Sequence, residues 1–137
     1  MFMKFSKLNL GTKVIIIIQS IGMLMGTSTH VLWTWYNGFL SKEYNANVFS
    51  MCFWDSLTFL DPLAAFLLIV KPKTGLYLTL FIIVFDVIHN NIFYFNELYV
   101  DPIGWADWIL KYWMIIGQIC FGVFVVFTFR GNLKAVG

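Results

Sequence analysis

Long apolar stretches separated only by short polar links leave this chain few choices of fold. They run from Val14 to Tyr36, Val48 to Val70, Gly75 to Phe95 and Trp108 to Phe129. A helix rising about 1.5 Å per residue needs roughly 20 apolar residues to cross about 30 Å of hydrocarbon, and each stretch supplies them. Hydrocarbon offers no partner to a bare N–H or C=O group, so a spanning segment must satisfy its backbone internally. Even the β-branched run Val14 to Ile18 is therefore expected to be helical. The expectation is an all-α fold: an integral membrane four-helix bundle, forming a single membrane domain over residues 1–137.

Composition removes the soluble alternatives. Charged residues make up 12% of the chain, against about 25% in a soluble domain. The net charge of +2 and the lack of a basic cluster with interleaved aromatics exclude a nucleic-acid partner. Cys52 and Cys120 fall in apolar segments without C-x-x-C spacing and read as unpaired core thiols. The first stretch is too long for a cleavable signal and ends in the interfacial aromatics Trp33, Trp35 and Tyr36.

Positive charge sets the expected orientation. Lys4, Lys7, Lys13, Lys71, Lys73, Arg130 and Lys134 share one side of a four-span arrangement. The other side holds Lys42, Lys111, Glu43, Glu97, Asp101 and Asp107. The positive-inside rule then puts both the N and C termini in the cytoplasm. Lys71 to Thr74 is expected to be a tight inner link, with outer loops at Asn37 to Asn47 and Asn96 to Asp107.

Function is sought among the side chains that lipid should exclude, since an Asp at a helix centre costs about 2.5–3.5 kcal/mol to insert. Span one carries Gln19 and His30, span two Asp55 and Asp61, span three Asp86, His89, Asn90 and Asn91, and span four Lys111 and Gln118. Counted by helix rise from the outer ends, His30, Asp55 and His89 lie roughly 10 Å deep, Asp86 about 14 Å and Asp61 about 20 Å. Asp86, His89 and Asn90 share a face of span three; Gln19, Gly22, Gly26, His30 and Trp33 share one on span one. Thr58 lies three residues from both Asp55 and Asp61, and Pro62 is expected to kink span two beside Asp61. Asp55 and Lys111 are a candidate ion pair. The combined expectation is a polar pocket in the outer half of the bundle. Its candidate ligand-binding or proton-handling residues are His30, Asp55, Asp61, Asp86, His89 and Asn90, with Trp33, Trp54, Thr58 and Lys111 in support.

Distinct function classes fit such a pocket. One is a site for a lipophilic, sterol- or lipid-like ligand, walled by Phe53, Trp54, Phe59, Phe66, Phe81, Phe85 and Phe93. A second is a small proton-coupled transporter or channel subunit, expected to pair as a homodimer. A third is a structural or accessory subunit whose polar groups only hold helices together. No ligand spacing of a metal site, no G-x-S-x-G and no phosphate-binding glycine loop occurs, so no cofactor is expected.

The order of certain residues resembles the EXPERA group of four-span membrane proteins. Thr29-His30 late in the first span, Phe53-Trp54 followed by Ser56 and Asp61 in the second, and His89 in the third carry the likeness. His30 is followed by valine where that group has proline, and the acid is Asp where it has Glu. The resemblance implies a sterol- or lipid-like ligand within the membrane. If catalytic, it implies isomerase-like acid–base chemistry, with Asp61 as acid or cation partner and His30 and His89 handling protons. The chain is equally similar to small DoxX-like four-span proteins of bacteria. That likeness implies a bacterial inner membrane rather than the endoplasmic reticulum.

Overall fold

The computed structural model describes residues 5–100 and 104–137. Lys4 and Asp101, used above to orient the chain, lie outside the described residues. Its helices are α1 (Leu10–Asn37), α2 (Val48–Val70), α3 (Pro72–Phe93) and α4 (Trp105–Val136). All 4 are long and apolar enough to cross a membrane, and no strand occurs among the described residues. The chain is built as an integral membrane four-helix bundle.

Capping explains where the helices depart from the hydropathy boundaries. Asn9 accepts the Thr12 N–H at 2.9 Å, so α1 opens at Leu10, a turn before the apolar run. Asn47 caps α2 in the same way, through the Ser50 N–H at 2.9 Å. Pro72 starts α3, where its missing N–H costs nothing, so the inner link shrinks to Lys71 alone. At the other end of the chain, α4 continues past Phe129 to Val136. Inside α2, Pro62 is accommodated within one helix from Val48 to Val70. It still denies the Thr58 carbonyl its usual donor.

Neighbours in sequence are neighbours in space: α1 packs on α2, α2 on α3 and α3 on α4, while α4 closes lightly on α1. Gly75 permits the α2–α3 contact, since a Cβ there would strike the Leu68 backbone. Gly22 admits the Phe121 ring of α4. One apolar layer, at the end holding the chain termini, joins Ile16, Leu68, Leu76 and Val136. A second, toward the two-loop end, joins Met23, Trp54, Leu57, Ala64, Ala65 and Ile82. Lys7, Lys13, Lys71, Lys73, Arg130 and Lys134 cluster at the terminal end by this topology.

Two expectations about apolar positions need correcting. Cys52 and Cys120 are free thiols but exposed on the flanks, not in the core. Phe59, Phe66, Phe81 and Phe85 also face outward, where lipid is their solvent, and do not wall an interior cavity.

Candidate functional site

The three membrane carboxylates all turn inward: Asp55, Asp61 and Asp86 are 5%, 4% and 6% exposed. For Asp61 the core face of α2 explains this, since Ser50, Trp54, Leu57, Asp61, Ala64 and Leu68 recur at three- and four-residue steps. The polar side chains do not share one pocket. They separate into local arrangements.

Asp55 anchors the first loop. Its carboxylate accepts the Leu40 N–H at 2.5 Å and the Tyr44 O–H at 2.7 Å. Tyr44 is in turn held between the rings of Trp33 at 4.8 Å and Trp54 at 5.2 Å. Burial, and then the bond to Asp55, push the Tyr44 phenol pKa above its ordinary value. Both Asp55 oxygens are thus taken up by the loop. The Lys111 ammonium lies 5.1 Å over the Tyr112 ring, where α4 bends locally. His30, half-buried on α1, is within electrostatic range of Asp55.

Asp86 belongs to a network that ties α2, α3 and α4 together. Trp54 Nε1 donates to Asn90 Oδ1 at 2.8 Å. Asn90 Nδ2 reaches Asp86 Oδ1 and Gln118 Oε1, each at 3.0 Å. Gln118 Nε2 closes the ring on Asp86 Oδ2. Each carboxylate oxygen thereby receives a donor, which is how a buried charged or polar group is made tolerable.

His89 sits on the α2–α3 seam. Its Nε2 lies 3.0 Å from Ser50 Oγ, and the rings of Phe53, Trp54 and Phe93 surround it at 4.8, 5.2 and 6.4 Å. A cleft of about 220 Å³ opens beside it on the bundle flank, lined by Asn47, Phe49, Ser50, His89, Ile92 and Phe93. Another flank groove, of about 250 Å³ between α3 and α4, is wholly aliphatic and aromatic apart from Gly122.

Asp61 is the exception among the three carboxylates. Its Oδ1 is buried and finds no hydrogen-bond partner among the described residues, and neither does the Thr58 hydroxyl one turn away. Asp61 packs against α1 at Gly26, where a Cβ would stand 2.6 Å from Oδ2. Asp86 is an ionisable group within electrostatic range of it.

The proposed site residues are therefore partly joined. Trp54, Asp86 and Asn90 form one unit and His89 adjoins it; Trp33 and Asp55 form another around Tyr44; Asp61 and Thr58 belong to neither. Tyr44 and Ser50 escaped the sequence reading as partners. Tyr44 lies in a loop and Ser50 at a helix start, where polar residues need no explanation. Among the described residues, no three His, Cys, Asp or Glu side chains converge as metal ligands would. No protein-family model matches the chain, and no curated protein or solved structure matches it.

Proposed function

We propose that the protein conducts protons across its membrane, with Asp61 as the central exchanging group and the Asp86 carboxyl as its neighbour. The carrying observation is that Asp61 is buried at mid-bundle with Oδ1 unpartnered among the described residues. The other two membrane carboxylates are fully engaged, as structural residues would be. Asp61 is not, and packing does not offset the cost of its insertion; an intramembrane acid of that kind is a functional group first. It can take up or release a proton without breaking a structural bond. On its two packed neighbours, α1 presents Gly26 and α3 presents Asp86. The lysine-rich terminal end faces the cytoplasm in this reading, and the membrane is a bacterial inner membrane.

The test uses purified protein in phosphatidylethanolamine–phosphatidylglycerol vesicles loaded with a pH-sensitive dye. Potassium and valinomycin clamp the membrane potential. An imposed pH gradient should decay faster than in protein-free vesicles, and Asp61→Asn should remove the difference. Decay equal to that of empty vesicles would sink the proposal.

The Ser50–His89 cleft supports a second reading, as a site for a lipophilic molecule with a polar head. The head would meet Ser50 and His89, and the body would lie along Phe49, Ile92 and Phe93. A photoreactive long-chain alcohol should then label α2 and α3 beside His89, less so in Ser50→Ala. Labelling spread evenly over all lipid-facing helices would refute it.

A further inference from the structure

Residues 38–47 join α1 to α2 across the loop end of the bundle. Their backbone is unusual. Gly38, Leu40 and Asn45 have positive φ, at 80°, 52° and 48°. Glycine and asparagine adopt that region readily, whereas leucine does so at a cost. The Leu40 side chain is 51% exposed, so its burial does little to offset that cost. One carboxylate holds the strained residue in place. Within the loop, Tyr44 N–H and Glu43 N–H turn back to Ser41, and Asn45 N–H to Lys42. Among the described residues, the hydrogen bonds from residues 39–46 to a helix both end on Asp55, one from Leu40 N–H and one from Tyr44 O–H.

Tyr44 is where the loop enters the bundle, with its ring between those of Trp33 and Trp54. The face of α1 orders the seam beneath it. Gly26 meets Asp61, His30 is within electrostatic range of Asp55, and Trp33 meets Tyr44. Trp33 stands seven residues from Gly26, about 10 Å along the helix. Tyr44 therefore covers the same α1–α2 seam that holds Asp61, about two turns closer to the loop end. Thr58 of α2 falls between the two levels, and its hydroxyl has no partner among the described residues. Toward the terminal end, Asp61 is closed in by packed side chains of three helices, Met23, Ala64, Ala65 and Ile82. Toward the loop end, a short hooked segment makes the closure.

We infer that residues 38–47 are a gate over the loop-side approach to Asp61, closed by the Tyr44 ring and latched by Asp55. The inference rests on the proton-conducting reading of Asp61. Asp55 is then a positioning residue and exchanges no proton itself. When its two bonds to the loop break, Leu40 relaxes to negative φ and Tyr44 leaves its place between Trp33 and Trp54. The seam of His30, Thr58 and Asp61 then opens to the water at the loop end. The strain at Leu40 favours release, so the closed state lasts only while Asp55 holds it.

Thiol labelling in vesicles reads the gate independently of proton flux. Cys52→Ser and Cys120→Ser remove the thiols on the flanks, and Thr58→Cys then places a single cysteine beneath Tyr44. The probe is a charged methanethiosulfonate that does not cross lipid. Labelling should be slow with the native loop and at least about tenfold faster with Asp55→Ala, because each bond to a charged group stabilises by about a tenfold factor or more. Tyr44→Phe keeps the stacked ring and loses one bond, so its increase should be smaller. Leu40→Asn keeps the N–H and relieves the strain, so it should slow labelling. Gln118→Ala, which loosens the α3–α4 side instead, should leave the native rate. A rate unchanged by Asp55→Ala overturns the gate, whether or not the protein conducts protons.

The dye-loaded vesicles then connect the gate to Asp61. Asp55→Ala should raise proton flux above native, and adding Asp61→Asn should return it to the protein-free level. Faster labelling with unaltered flux overturns the loop as the gate on Asp61 while leaving Asp61 as the exchanging group. Absence of flux in both the native protein and Asp55→Ala overturns the Asp61 reading, and the gate's part in conduction with it.

Discussion

Gly26 of α1 and Asp61 of α2 are fitted to one another: a Cβ at residue 26 would stand 2.6 Å from the Asp61 Oδ2. The contact sets both the distance between two helices and the place of the unpartnered acid. Asp61 is too enclosed, at 4% exposure, for its carboxylate to swing aside freely.

Gly26→Ala should therefore destabilise the bundle, because overpacking costs about 1–3 kcal/mol and outweighs the gain of about 1 kcal/mol from replacing a helical glycine. In an Asp61→Ala background the obstacle is gone and the same change should stabilise. The reversal of sign is measured by unfolding both pairs of proteins in mixed micelles as a double-mutant cycle. Equal effects in the two backgrounds would show that residues 26 and 61 are not in contact.

Asn90 should be the most costly of the asparagines to lose. It accepts from Trp54 and donates to Asp86 and Gln118. The bonds to Trp54 and Gln118 cross between helices, and such contacts in membranes average about 0.6 kcal/mol, so Asn90→Ala should cost at least about 1.2 kcal/mol. Asn91 bonds the Val87 carbonyl of its own helix and the exposed Tyr99 hydroxyl, and Asn91→Ala should cost well under half as much. Comparable unfolding midpoints for the two variants would contradict the network.

The helices were legible in the sequence because hydrocarbon admits so few structures. The polar side chains were legible as anomalies for the same reason. Their pairing was not. Asp55 was legible as an acid near Lys111 in depth, but its oxygens go to Leu40 and Tyr44, through a loop fold that no periodicity encodes. Asn132 was hidden because hydropathy ends the fourth span at Phe129, whereas α4 runs on to Val136 and carries Asn132 into the interior. Thr79 looked innocuous, since a threonine can satisfy its hydroxyl on its own helix. Only the packed structure shows that its hydroxyl finds no partner among the described residues.

Tyr44 gives a pH-dependent signature outside the membrane. Its phenol pKa is raised by burial first and by Asp55 second. A raised pKa means that the folded state holds the proton more tightly than the unfolded chain. The stabilisation is therefore complete below the ordinary phenol value of about 10 and is lost as pH climbs above it. Difference absorbance between the native protein and Tyr44→Phe should show the Tyr44 phenolate forming only at higher pH than the ordinary value of about 10. An ordinary phenolate titration in this difference spectrum would mean that the loop does not close on Asp55.

Gly22 and Gly75 should respond differently to compensation, although alanine is too large at both. At Gly22 the added methyl meets the side-chain ring of Phe121, and at Gly75 it meets the backbone N and Cα of Leu68. A smaller residue on α4 can relieve the first clash but no side chain on α2 can relieve the second. Gly22→Ala should be rescued by Phe121→Leu. Gly75→Ala should cost about 3 kcal/mol and gain nothing from Leu68→Ala, which would add a cavity to the terminal layer. The one-residue link at Lys71 leaves α2 and α3 little freedom to slide apart. Unfolding midpoints of the four variants decide the matter: rescue of Gly75→Ala by Leu68→Ala would show that the hairpin is held by side chains rather than by direct backbone approach.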